Sequence, residues 1–132
     1  MQPPKPERRR KPRDYKEALT LIAQGRCADA LPLLQRAAAR SPEDPDIYNQ
    51  IGLCNAKLGR YRESLEAYIQ ALTIDPNHKE ARANLGELLL LLDRPADAQE
   101  QLRQLSLLCP RGCAERETLQ KAIDDYKAKH AG

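Results

Sequence analysis

A 34-residue period governs this chain of 132 residues. Pro42, Pro76 and Pro110 keep it, as do Ala18, Gly52 and Gly86. Ala30, Ser64 and Ala98 form another column, and Leu34, Tyr68 and Leu102 a further one. Gly25 and Gly59 share a place that Asp93 takes in the third unit. A unit of this length holds one helix pair, whose apolar face is buried only by stacking on the next pair. Each column has a physical reason. The small residues at 18, 52 and 86, and at 30, 64 and 98, let paired helices approach closely. Gly25 and Gly59 suit a left-handed turn between helices, where a β-carbon is costly. Asp enters that region more readily than most residues, so Asp93 is tolerable. The prolines end each second helix and open the next unit.

Composition agrees with helices throughout. Ala, Leu, Glu, Gln, Lys and Arg are good helix formers. There are five Tyr and neither Phe nor Trp. The expected fold is all-α, in one domain over 14–130. Helix pairs are expected at 14–24 with 28–40, 45–58 with 62–74, and 79–92 with 95–108, in repeats 11–44, 45–78 and 79–112. A seventh helix, 113–129, carries an apolar stripe of Leu119, Ala122, Ile123 and Tyr126. It is expected as a cap, because a stack leaves an apolar face at its end. Pro95 suits a first helical position. Pro32 falls early in its helix, where a slight kink is expected.

The net charge of +3 is unevenly placed. Residues 1–13 carry +5 from Lys5, Arg8, Arg9, Arg10, Lys11 and Arg13 against Glu7, which leaves −2 for the rest. This proline-rich basic segment is expected to be a disordered leader. It lacks interleaved aromatics for base stacking, and the folded part lacks a basic face, so no nucleic-acid partner is expected. A weak anchoring role on acidic lipid heads or nucleic acid is the alternative for the leader. The longest apolar run, Leu88–Leu92, is five residues, where a membrane span needs about twenty. No signal peptide is read within residues 1–13. The Met1-Gln2-Pro3-Pro4 start reads as a native terminus or as one left after a signal was removed.

The pattern resembles the tetratricopeptide repeat family. Its signature places are best kept in 45–78, by Tyr48, Ile51, Gly52, Gly59, Tyr61, Ser64, Tyr68, Ala71 and Pro76. The unit at 79–112 keeps Leu85, Gly86, Ala98, Leu102 and Pro110. The unit at 11–44 is more worn, keeping Ala18, Leu21, Gly25, Ala30, Ala37 and Pro42. The resemblance implies a right-handed superhelical solenoid whose first helices line a concave, peptide-binding face. Carried onto this sequence, that face holds Tyr15, Lys16 and Leu19, then Asn49, Gln50, Leu53 and Lys57, then Ala83, Asn84, Glu87, Leu90 and Leu91. Asn and Gln there offer donors and acceptors to an extended backbone. The family's clamp for chaperone C-terminal carboxylates needs Lys and Asn where this chain has Leu19 and Leu53, so that clamp is not expected. The segment from Leu108 to Glu115 is similar to the end of small exported alphaproteobacterial members. That similarity implies a periplasmic location, with a cytoplasmic one as the alternative.

Within the Leu-rich run, Leu85, Leu89 and Leu92 read as core. Leu88, Leu90 and Leu91 exceed one stripe. They read either as buried under the seventh helix or as an apolar wall of the groove.

The four cysteines divide. Cys27 and Cys54 read as small buried packing residues. Cys109 and Cys113 bracket Pro-Arg-Gly at a helix break, close enough for a disulfide that would pin the cap. The loop is short, so the gain is about 1–2 kcal/mol. Their spacing is not Cys-x-x-Cys, which speaks against thiol-redox work. His78 lies in a turn and His130 near the end, both read as surface histidines, neither at ligand spacing from the cysteines. Neither a phosphate loop, nor a nucleophile elbow, nor a carboxylate pair in a pocket is found. No catalytic residue, metal or cofactor is expected. The expected function is a protein-binding scaffold. The alternatives are a self-assembling homo-oligomer that stacks end to end, and a thiol-redox protein using Cys109 and Cys113.

Overall fold

The structure, a computed structural model, describes residues 11–131. Seven α-helices follow one another: α1 (Arg13–Ala23), α2 (Cys27–Arg40), α3 (Pro45–Lys57), α4 (Tyr61–Ile74), α5 (Lys79–Leu91), α6 (Pro95–Leu108) and α7 (Ala114–His130). No strand is found among the described residues. Each helix packs on its sequence neighbour, and α7 lies against both α5 and α6. Residues 1–10 of the expected leader lie outside the described residues. Lys11, Pro12 and Arg13 do not belong to a loose leader. Pro12 is the N-cap of α1, and Lys11 is held by two carboxylates of the next repeat.

The turns inside the pairs explain the period. Gly25 and Gly59 adopt φ of 74° and 75°. Behind each, the chain folds back: Arg26 N–H donates to Leu21 C=O at 2.8 Å, and Arg60 N–H to Asn55 C=O at 2.8 Å. Asp93 holds the same left-handed place with φ 59°, and Arg94 N–H donates to Leu89 C=O at 2.8 Å. These bonds satisfy the carbonyls that a helix end leaves free. Asp93 also does what glycine cannot, because its carboxylate accepts a hydrogen bond from the Tyr126 hydroxyl of α7.

The small-residue columns are close contacts. Ser64, fully buried in α4, donates through Oγ to the Gly52 carbonyl of α3 at 2.7 Å. A β-carbon on Gly52 would run into the Tyr68 ring. The core forms two groups. One holds Tyr15, Ala18, Cys27, Ala30, Leu31, Leu34, Ile47 and Cys54. The other holds Tyr68, Leu85, Leu88, Leu89, Leu102, Leu105, Leu119 and Ile123. Leu88 is therefore core beneath α7, while Leu90 is half-buried and Leu91 exposed. Of the three leucines beyond one stripe, Leu88 is the one buried under the seventh helix.

All four cysteines meet in pairs. Cys109 and Cys113 face each other with Cα atoms 6.0 Å apart, joining the end of α6 to the start of α7. Cys27 and Cys54, expected only as packing residues, also face each other, with Cα atoms 5.0 Å apart. They are buried as expected, but against one another. The antiparallel course of α2 and α3 brings them together, since Ser41 in the intervening turn stands fourteen residues after Cys27 and thirteen before Cys54.

Candidate functional site: the face of the first helices

Residues one, or about two, helical turns apart fall on the same side of a helix. On α1, α3 and α5 this places three rows on one face. Lys16, Gln50 and Asn84 form the first row, Leu19, Leu53 and Glu87 the second, and Ala23, Lys57 and Leu91 the third. Lys16, Ala23, Lys57 and Leu91 are exposed, and Gln50, Leu53, Asn84 and Glu87 are half-buried. Leu19 is 36% exposed and Leu91 62%. Half-buried Leu90 borders the same face. By contrast, exposed Ile69 and Leu107 stand singly on α4 and α6, in unrelated columns, which is ordinary for a soluble surface.

Three residues expected to line the groove lie beneath it. Tyr15 is 8% exposed and is roofed by the Lys11 ammonium, 5.4 Å from its ring centre. Burial, with the Asp46, Asp44 and Glu80 carboxylates adding, pushes its phenol up to about 12. Asn49 is 2% exposed, and its carboxamide oxygen accepts a bond from Asn84 Nδ2 at 3.0 Å. That amide pair links adjacent repeats, so Asn49 is spent on packing. Ala83 is likewise buried, 5% exposed.

Burial raises the Glu87 carboxyl above its ordinary value. The Tyr68 phenol, 1% exposed, is pushed up by burial and secondarily by the Glu87 carboxylate. No ion pair or hydrogen bond engages Glu87 among the described residues.

An ionic cluster at one end of this face was not foreseen. Lys11 Nζ bonds Asp44 at 2.5 Å and Asp46 at 2.6 Å. His78 Nε2 lies 2.7 Å from Asp46 Oδ1, and its Nδ1 accepts from Ala81 N–H at 3.0 Å. His78 is thus not a surface histidine but the N-cap of α5. The signal was present in the period, since His78 stands 34 residues after Asp44, the N-cap of α3. Burial alone would raise Asp46, but the hydrogen bonds from Lys11 and His78 outweigh it and hold the carboxyl below 3.8. Stability from Asp46 is therefore present in full above that value and lost as pH falls through the lower folded one. His78→Ala removes the cap and the link between repeats together. The expected loss is on the order of 1–2 kcal/mol in urea unfolding. His78→Asn, which keeps a capping acceptor, should recover part of it.

A second concavity of about 720 Å³ lies on the side of the second helices. Pro32 of α2, Tyr48 and Ile51 of α3, and Glu66 and Gln70 of α4 contribute to its walls. Charges of both signs line it, Arg60 beside Glu63 and Glu66. Neither face brings together three or more His, Cys, Asp or Glu able to hold a metal ion, among the described residues. No described helix is long and apolar enough to cross a membrane.

Comparison with known proteins places this arrangement. One family model described as tetratricopeptide repeat matches residues 15–72, and a second of the same description matches 56–123. The Hsp70/Hsp90 co-chaperone cns1 of Schizosaccharomyces pombe is 30% identical over 117 residues, covering 83% of this chain and 33% of that protein. The TPR repeat-containing thioredoxin TTL4 of Arabidopsis thaliana is 29% identical over 102 residues, covering 76% of this chain and 14% of that protein. The chain thus spans a third or less of the length of these relatives. Among solved structures, the Yersinia enterocolitica translocator chaperone SycD superposes with TM-score 0.79 at 19% identity, covering 90% of this chain and 92% of that one. The second TPR domain of human RPAP3, solved with an HSP70 peptide, gives 0.75 at 19% identity, covering 84% and 92%. At these identities the structural likeness speaks to fold alone.

Proposed function

The chain belongs to the tetratricopeptide repeat family, and from that premise we propose that it is a non-catalytic scaffold holding a peptide or helix of a partner protein on the face of α1, α3 and α5. The carrying observation is the pair Leu19 and Leu53, one period apart on α1 and α3, with Leu90 and Leu91 beside them on the α5 part of the same face. These are large aliphatic groups left at least partly accessible on one face, which marks a contact surface rather than scatter. Supporting it, the RPAP3 domain and SycD have each been solved with a partner peptide. A peptide array tests the reading. Peptides retained by the wild-type chain should lose binding to Leu53→Asp by about tenfold or more, with helix content unchanged. Retention of the same peptides by Leu53→Asp would count against this face.

The pairing of all four cysteines supports a second part of the reading, that the chain works as an exported, periplasmic protein with two disulfides. Such bonds persist in oxidising compartments and are rare in the cytosol. Each forms by exchange with a disulfide oxidant, two thiols giving up their protons and two electrons to it. Non-reducing intact mass of the natively produced chain should fall about 4 Da below the reduced form, for four hydrogens lost. An unchanged mass would return the chain to a reducing compartment. The similarity of Leu108–Glu115 to small exported alphaproteobacterial members points the same way.

A further inference from the structure

Resting on the groove reading above, we infer that the α1–α3–α5 face takes an extended partner segment with two apolar side chains and, at its α5 end, a lysine or arginine, the cation seated on Glu87. The middle row of the face gives the order. Leu19, Leu53 and Glu87 stand in one column of the 34-residue period, so the row reads apolar, apolar, acidic along α1, α3 and α5.

Magnitudes decide which charge selects the partner. Lys16 and Lys57 are exposed, and an exposed lysine gains little from an anion, about 0–1 kcal/mol. Glu87 is half-buried with no cation bonded to it among the described residues. A partly desolvated carboxylate gains more from an incoming cation, because its own desolvation is already spent. The raised carboxyl of Glu87 agrees with that setting. An acidic segment would instead bring a second carboxylate to this place.

Spacing follows from helix packing. Neighbouring packed helices stand roughly 10 Å apart, and an extended chain advances about 3.3 Å per residue. On α3 and α5, which pack on each other, the apolar side chain over Leu53 and the cation over Glu87 should therefore be about three residues apart.

The experiment selects binders from a random heptapeptide display library on the intact chain, with Leu53→Asp as the counter-target. Among binders lost on Leu53→Asp, Lys and Arg should be enriched about tenfold over Asp and Glu at one position. Glu87→Lys should invert that bias. Glu87→Gln, which keeps size and removes charge, should abolish the bias while leaving the apolar preference. Enrichment without charge bias, or an acidic bias on the wild type, overturns the assignment of Glu87 and leaves the groove standing. Absence of any Leu53-dependent binder removes the groove reading and this inference with it.

Discussion

Breaking the proposed Cys27–Cys54 disulfide alone should cost the fold about 3–4 kcal/mol. The bond closes 27 residues of chain, and on the chain-entropy model such a loop is worth about 3.5 kcal/mol, against roughly 2 for the four-residue Cys109–Cys113 loop. Its position makes the loss local. Cys27 and Cys54 both lie in the core group that anchors the first repeat. The polar ties of that repeat are few. No side chain caps α1 or α2 at its N-terminus, and Lys11 with its two aspartates is the main polar tie to the next unit. The measurement is urea unfolding of Cys109→Ser/Cys113→Ser with and without a phosphine reductant, which isolates the one bond. Hydrogen exchange should show protection falling first in α1 and α2, with α5–α7 still protected. Equal midpoints in the two conditions would mean the thiols pack without bonding.

The fold was legible because local and global signals coincide. The period sets which residues must be small, the left-handed turns set where helices stop, and the observed helix ends differ by a single residue at most from those expected. Asp93 is the instructive position. Its backbone role could be read from the column. Its bond to Tyr126 could not, because that bond depends on how α7 docks. The Cys27–Cys54 pair escaped for a different reason. Their separation matches neither the period nor a local motif. It matches the antiparallel geometry of α2 and α3, in which residues equidistant from the turn at Ser41 come face to face.

The candidate site was legible by row and not by depth. The period places residues on a face but says nothing of how closely adjacent repeats approach. Asn49 and Asn84 stand 35 residues apart, one off the column, and meet across that approach. Tyr15 sinks because Lys11 closes over it, and Lys11 is drawn there by Asp44 and Asp46. Polar ties between repeats thus close two of the expected groove positions, Tyr15 under an ion pair and Asn49 in an amide pair.

Gly86→Ala and Leu119→Ala should each destabilise the chain, and together they should cost clearly less than their sum. A β-carbon on Gly86 would stand 2.6 Å from both Leu119 Cδ atoms. Those methyls cannot swing aside. Leu119 is fully buried, in the same core as Leu88, Leu105 and Ile123. Overpacking of this kind costs about 1–3 kcal/mol, offset by about 1 kcal/mol from replacing a helical glycine. Leu119→Ala alone leaves a void between α5 and α7, worth about 3–4 kcal/mol. In the double variant the new methyl occupies space that the leucine vacated. It relieves the clash, fills part of the void and keeps the helix-forming gain, so a coupling of about 1–2 kcal/mol in favour of the double variant is expected. Urea unfolding of the four proteins gives the cycle directly. Additivity within about 0.5 kcal/mol would show that α7 does not bear on Gly86. The coupling would show instead that the glycine in the third unit is kept for the cap. In the second unit the same column serves Tyr68 of the unit's own second helix, so one small-residue place in the period is used for two different partners.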